Sequence, residues 1–522
     1  MSLSTIDLII LGAYFVLIAA IGIYVSRGQD TATKFFLAGR GIPGWVVAFT
    51  LMGTIIGTGT FVGHPGTSYQ KGLILLTPHM MLPIVLIFVS KFIVPFYRRV
   101  VQMSAYEYIG QRFGLGGRFY TSFGFLADRI FDIGVTLLTT ALAVQVITGW
   151  EMKTVILGTA LSTAAYTMLG GIKAVVWTDV AQGTILILGG SFVLLRLLFA
   201  PEAGAPFAVV GEAWRAGRLT LGSTELSWAS FLDQQNSTLW LFCLAYGVQW
   251  TRRYVTDQHM VQRYLIARTD QEASRATFTG AMICVPVFFI FMFIGACLYG
   301  FFALTGLPGP EMVDSVMPFF MVHYLPHGVL GLVVAAIMAA AMSTVSSDLT
   351  SVATVATTDY FVHFFPKASE RARVLCGRFM IVLGGMLAAW CAMLLIPEKG
   401  TAPVMERALI IATILSGGTL GLFALGFGTR TATRRGCYVG MACCLVYMTW
   451  AILTEPKNNF VDLGFNFELN PILIGVLGHL ILFGTGWIAS QLFGGYRPDN
   501  VEDLTFWSHK IKYPVAPTKS GE

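Results

Sequence analysis

Runs of about twenty apolar residues recur from one end of the chain to the other, and a helix needs that length to cross the roughly 30 Å hydrocarbon core of a bilayer. About thirteen segments meet this criterion: 5–26, 44–63, 72–96, 118–147, 151–170, 177–199, 234–251, 276–305, 327–357, 371–396, 406–427, 432–453 and 470–494. In lipid each backbone polar group must find its partner internally, so segments of this kind are helices and the expected class is all-α integral membrane. Composition agrees: of 522 residues, 55% are hydrophobic and 12% charged, with a mean hydropathy of +0.70. A soluble domain carries about 25% charged residues to cover its surface, so lipid is the implied solvent. The 56 glycines fit, because they let membrane helices approach closely. A net charge of +6, dispersed through loops, argues against a nucleic-acid partner.

The N-terminal run up to Ser26 follows Asp7 rather than a basic lead, so it reads as a retained helix and not a signal peptide. All eight cysteines (Cys243, Cys284, Cys297, Cys376, Cys391, Cys437, Cys443 and Cys444) lie within or beside apolar segments and form no C-x-x-C pair. They read as reduced thiols, neither a metal site nor a disulfide framework. Basic residues favour cytoplasmic loops. With the N-terminus outside, the inside loops collect Arg98, Arg99, Arg112, Arg252, Arg253 and Arg263 among others, whereas the outside loops hold few, including Lys399, Arg407 and Lys457. The expected placement is therefore multi-pass in the cell membrane with a cytoplasmic C-terminus. Residues 1–500 read as one transmembrane domain and 501–522 as a cytoplasmic tail, with the longest loop near 200–233.

Two segments look interrupted. The second contains Gly53-Thr54-Ile55-Ile56-Gly57-Thr58-Gly59-Thr60, a poor continuous helix because each interior glycine costs about 1 kcal/mol relative to alanine. The seventh is short and holds Gly247 before Gln249, Trp250 and Thr251. Interrupted helices at matching positions of two halves point to a transporter's midplane binding site; the plain alternative is that these glycines only allow close packing. Ionisable residues within spans are costly and usually have a partner or a function. Asp179 opens the sixth span, either as a helix-start carboxylate held by the helix dipole or as part of an ion site. On the ninth span Ser343, Ser346 and Ser347 share one face, with Ala340 a turn earlier and Thr344 alongside. Such hydroxyls could join carbonyls freed at the Gly53–Ile56 break in a cage for a small hard cation, or could simply be packing glue between helices.

Four stretches together resemble the sodium/solute symporter family: Ser104-Ala105-Tyr106-Glu107-Tyr108-Ile109 with Arg112-Phe113; Gly170-Gly171-Ile172-Lys173-Ala174-Val175-Val176-Trp177-Thr178-Asp179; Asp257 to Tyr264; and Ala335 to Asp348. The resemblance runs from about residue 35 to 360. It implies a LeuT-like fold: a leading helix (5–26), five helices (44–199) repeated in inverted topology (234–427), and two trailing helices (432–494). It implies a main sodium site of the carbonyls of Gly53, Ile56 and Ala340 with the hydroxyls of Ser343 and Thr344. A second sodium site, present in some members, would use Asp179, Ser343, Ser346 and Ser347. Gly53 is a departure, since alanine is common there. The solute of such a protein would lie near Thr54, Gly57, Thr60, Leu75, His79 and Asp132. Members that import sialic acid place an arginine where this chain has Asp132. A carboxylate there would repel an anion, so the expected solute presents hydroxyls or an amine to Asp132. The plain alternatives are that Asp132 pairs with Arg129 and that His79 is a packing histidine.

The function implied is sodium-coupled import of a small polar organic solute (a sugar, sugar derivative, amino acid or vitamin) by alternating access. Its partners would be that solute and the bilayer, with Na+ as coupling ion and the protein working as a monomer. The alternatives are a solute sensor or a cation channel built on a transporter-like body. Enzymes are disfavoured, because His323 and His327 lack the glutamate of H-E-x-x-H and neither G-x-S-x-G nor a P-loop lysine occurs.

Overall fold

The computed structural model describes residues 3–233, 238–307, 309–310, 312–396, 417–455 and 461–507. Among these residues every regular element is a helix. In chain order the principal ones are α1 (Thr5–Val25), α2 (Gly44–Ile55), α3 (Gly59–Lys71), α4 (Leu73–Val100), α5 (Ala105–Phe113), α6 (Leu115–Thr148) and α7 (Met152–Leu198). They continue as α8 (Leu239–Thr256), α9 (Gln258–Ile266), α10 (Asp270–Thr305), α11 (Val329–Val355), α12 (Glu370–Leu394), α13 (Thr419–Gly428), α14 (Arg434–Thr454) and α15 (Leu473–Phe493). Nine helices among the described residues are long and apolar enough to cross a membrane, or ten when α2 and α3 count as one bent span.

The segments expected at 151–170 and 177–199 are both present, counted once because the two helices meet directly at Gly171 (φ 56°, ψ −154°) within α7. Its 47 residues would extend roughly 70 Å if straight, more than twice the bilayer core, so the kink lets it fold back. The helix resumes directly after Gly171, which places Lys173 in helix rather than in a loop and Asp179 two turns inside. The dipole explanation for Asp179 therefore fails. The segment expected at 234–251 is α8, whose last turns carry Arg252 and Arg253. Of 406–427, residues 406–416 lie outside the described residues, as do Lys399, Arg407, Lys457 and 508–522.

α11 sits at the centre, packed on α7, α6, α12, α1 and α2. Its most apolar window is 89% buried, against 22% for α1, so α11 faces protein and α1 faces lipid. The loop expected at 200–233 contains the short helices Ala208–Arg215 and Trp228–Leu232. Residues 501–507 pack back on the bundle: Phe506 N donates to Phe427 O (3.1 Å), and Tyr108 Oη donates to Leu504 O (3.0 Å). All eight cysteines are free.

Three basic residues assigned to inside loops are buried instead. Arg112, 1% exposed, donates to Thr429 O (2.9 Å) and Ala432 O (3.0 Å). Arg252 and Arg263 are buried within α8 and α9. Arg252 belongs to the interior ionic network, whereas Arg112 is held by backbone carbonyls, so none of the three is a solvated loop charge.

Gly171 has a left-handed φ that disfavours side chains, and a Cβ there would lie 2.4 Å from Phe35 O. Gly171→Ala is therefore expected to destabilise by about 2 kcal/mol or more, read as a lowered melting temperature of the purified protein in detergent.

Candidate functional site

The break in the second span is present and sharply bent. α2 ends at Ile56, which has the extended angles φ −86° and ψ 93°. The chain restarts as a π turn at Gly59, with α3 inclined 60° to α2. Breaking a helix orphans the carbonyls just before the break. Gly53 O is taken up by Ser343 Oγ of α11 at 3.1 Å. The same hydroxyl lies 2.6 Å from Asp179 Oδ1, while Thr50 Oγ1 donates to Asp179 Oδ2 at 2.5 Å. A hydroxyl has one proton. Given to the nearer carboxylate, it leaves Ser343 Oγ and Gly53 O facing each other with lone pairs, an arrangement suited to a shared cation.

Thr344 Oγ1 lies 3.2 Å from Ala340 O, and a Cβ on Gly57 would stand only 2.8 Å from Thr344 Oγ1. The broken segment and the hydroxyl face are thus in contact at both Gly53 and Gly57. Oxygens at right angles around a hard cation held at about 2.4 Å lie about 3.4 Å apart, close to the 3.1 and 3.2 Å pairs here. Ile56 sits at the break, so its carbonyl is also released from helical pairing. Ser346 Oγ donates to Ser343 O (3.1 Å), and Ser347 Oγ meets Thr54 Oγ1 (3.2 Å). Ser343, Ser346 and Ser347 are all buried. The oxygen set of neutral hydroxyls, carbonyls and one carboxylate fits a monovalent hard cation.

The remaining solute candidates fall in three places. Thr54, Gly57 and Thr60 line the break; Thr54 Oγ1 donates to Thr50 O (2.7 Å). Leu75 and His79 are tied to each other, His79 Nδ1 bonding Leu75 O (2.6 Å), and the His79 ring packs at 3.6 Å from Phe288, 5.1 Å from His64 and 5.8 Å from Trp250. Asp132 is paired with Arg129 (2.9 Å) and its side chain is 39% exposed.

The second interruption lies further along than Gly247. α8 runs through Gly247, where Thr251 Oγ1 donates to Gly247 O (2.7 Å), and breaks at Asp257 (φ −85°, ψ 124°) before α9. No glycine marks this break. Asp257 Oδ1 accepts from Thr256 Oγ1 (3.0 Å) and from Arg252 Nη1 (3.4 Å).

Of the ionic network around that break, sequence reasoning reached only Arg129 with Asp132 and its competitor Asp128, not Asp348, His259 or Arg252. Arg129 bonds Asp128 at 2.5 Å and lies 3.5 Å from Asp348, which is 3.7 Å from His259. Arg263 donates to His259 O (3.0 Å) and Ser347 Oγ (2.5 Å). Thr50 was missed as well, although it stands one turn before Thr54 and on the same face. The familiar stretches supply structural ties: Ser104 Oγ and Arg118 Nε both donate to Asp359 (2.6 Å each), and Gln262 Nε2 donates to Phe36 O (2.7 Å) and Thr354 Oγ1 (3.0 Å).

Two broken helices around a buried, hydroxyl-lined central helix are the build of a secondary membrane transporter. The family model described as the sodium:solute symporter family matches residues 35–443, and the chain belongs to that family. The sodium/sialic acid symporter NanT of Aliivibrio fischeri is 27% identical over 98% of both chains. The sodium/glucose cotransporter of Vibrio parahaemolyticus is 28% identical over 88% of this chain and 87% of its own. A solved structure of a Na+-coupled sialic acid symporter in a substrate-bound outward-open state superposes with a TM-score of 0.84, at 24% identity, over 94% of this chain and 99% of that one. The fold is LeuT-like, the coupling ion is Na+, and these relatives are transporters rather than enzymes.

Because a Cβ at position 57 would crowd the Thr344 hydroxyl, Gly57→Ala is expected to weaken the sodium-induced rise in melting temperature by about tenfold in sodium concentration. The sodium-free melting temperature should stay near wild type, since the crowded atom ends a short side chain that can rotate.

Proposed function

We propose that the chain imports a small polar organic solute together with sodium, by alternating access. The main ion lies among Gly53, Ile56, Ala340, Ser343 and Thr344, and a second among Asp179, Ser343, Ser346 and Ser347. The observation that carries this reading is the single hydroxyl of Ser343 set between Gly53 O (3.1 Å) and Asp179 Oδ1 (2.6 Å). One side chain thereby belongs to both ion sets and bridges the first repeat (44–199) to the inverted second (234–427).

Sodium supplies the positive charge that the facing oxygens at the α2 break call for. With the break and α11 drawn together, the residues of the unwound segment are ordered and the solute site is formed. The inward sodium gradient, with about 2.3 kcal/mol per charge per 100 mV of membrane potential, then drives import. The protein works as a monomer in the cell membrane, N-terminus outside and C-terminus cytoplasmic.

For the solute, the pairing of Arg129 with one oxygen of the half-exposed Asp132 leaves the other oxygen for a donor. This supports a solute that presents hydroxyls or an amine there rather than a carboxylate: a sugar, sugar derivative, amino acid or vitamin. The two curated relatives are named for sialic acid and glucose, both polyhydroxylated, which favours a sugar or sugar derivative bound through Thr54, Gly57, Thr60, Leu75, His79 and Asp132.

Ser343→Ala and Thr344→Ala should each raise the sodium concentration for half-maximal uptake by about tenfold or more, since each removes an oxygen from a charged partner. Asp179→Asn should lower the number of sodium ions moved per solute. Unchanged sodium dependence in the Ser343→Ala/Thr344→Ala double variant would remove the main-site assignment. A thermal-shift screen of the purified protein against neutral sugars, amino sugars, amino acids, vitamins and sialic acid, with sodium or potassium, identifies the solute. The expected hit is a neutral or amine-bearing compound that stabilises only in sodium.

A further inference from the structure

Arg263 is fully buried, on the short arm α9 beyond the second helix break. Its guanidinium donates to His259 O (3.0 Å) within its own helix and to Ser347 Oγ (2.5 Å) on α11. A buried cation normally seeks a carboxylate, yet this one takes a serine hydroxyl. Two carboxylates lie within its electrostatic range, Asp348 and Asp179, and the latter belongs to the cluster, its oxygens held by Ser343 and Thr50 with Ser347 beside them. Arg263 therefore abuts the oxygen cluster assigned above to the second sodium ion and already engages one of its four residues.

Ser347 is fully engaged in this arrangement. It accepts from Arg263, and its own proton goes toward Thr54 (3.2 Å), which in turn donates to Thr50 O (2.7 Å). A hydroxyl oxygen that accepts a charge-assisted bond is a poorer ligand for a second cation. A sodium ion a few ångströms away would also be repelled by the guanidinium in a low-dielectric interior.

We infer that the Arg263 guanidinium is a tethered internal cation that stands in for sodium at the Asp179–Ser343–Ser346–Ser347 cluster, and that sodium enters this cluster only as Arg263 releases Ser347. The inference rests on the second-site reading given under Proposed function. Because Arg263 rides on the arm beyond the break, occupancy of the cluster is linked to the position of α9. The arm is in turn anchored to the start of α2, where Ile42 N donates to Ile266 O (3.1 Å) and Arg268 N to Ile42 O (3.3 Å). Ion exchange at the cluster is thereby transmitted between the two broken spans.

Equilibrium binding of radioactive sodium to purified protein tests this without transport. Arg263→Gln keeps a hydrogen-bond donor but removes the charge, and is expected to tighten binding at the second site by about tenfold. Arg263→Lys keeps the charge and should stay near wild type, and the gain should vanish in Asp179→Asn/Arg263→Gln. A folded Arg263→Gln that binds sodium no more tightly than wild type, while Asp179→Asn alone still loses one ion, overturns the role of Arg263 and leaves the second site standing. Asp179→Asn binding as many ions as wild type overturns the second site, and this inference with it. Wild-type protein gives an independent reading if Arg263→Gln does not fold. Amide hydrogen exchange over residues 258–266 should rise at saturating sodium as the arm loses its anchor on Ser347; exchange that is unchanged or slower counts against the proposal.

Discussion

The bundle depends on one buried meeting of oxygens, where the last turn of α2 and the break after Ile55 touch the hydroxyl face of α11. Unsatisfied backbone in a membrane interior is costly, so a broken helix persists there only if something takes up its free carbonyls. Ser343 sets its oxygen against Gly53 O and gives its one proton to Asp179 on α7, so the facing oxygens suit a shared cation. Three helices from both halves of the chain thus converge on a single side chain. The glycines at 53 and 57 allow that approach, since a Cβ at either would crowd the Ser343 or Thr344 hydroxyl.

The second break is stabilised differently. Around Asp257 the chain is held by Arg252, Thr256 and the neighbouring pairs of Arg129 with Asp128 and Asp348. Breaking such a buried network by removing one partner is strongly destabilising, whereas its presence says little about net stability. Within it Arg129 and Asp128 pair along α6, while Arg129 with Asp348, Arg252 with Asp128 and His259 with Asp348 join α6, α8, α9 and α11. One break is thus rich in neutral oxygens, a donor set that fits a small ion. The other is ionic and orients the arm that carries Arg263.

Much of the architecture is legible in the sequence. Length and hydropathy alone dictate an all-helical membrane protein, because no other backbone arrangement satisfies itself within such segments. The glycine and threonine alternation marks the first break, and the spacing of Ser343, Ser346 and Ser347 marks one face of one helix. These are local properties, written in a few consecutive residues.

What only the tertiary structure decided are the matters that depend on which residues meet. Gly247 reads as a break yet lies within a helix, while Asp257 breaks the chain without a glycine, where its carboxylate is held by Thr256 and Arg252. Lys173 and Asp179 read as the edge of a loop yet lie inside α7, because a single glycine packed on Phe35 makes the whole turn. Arg263 reads as a loop charge facing the cytoplasm, and its burial against Ser347 follows from α9 folding back into the bundle. Periodicity specifies which residues share a face, but a pairing across the fold has no local signature, and the proposed ion site is made of such pairings.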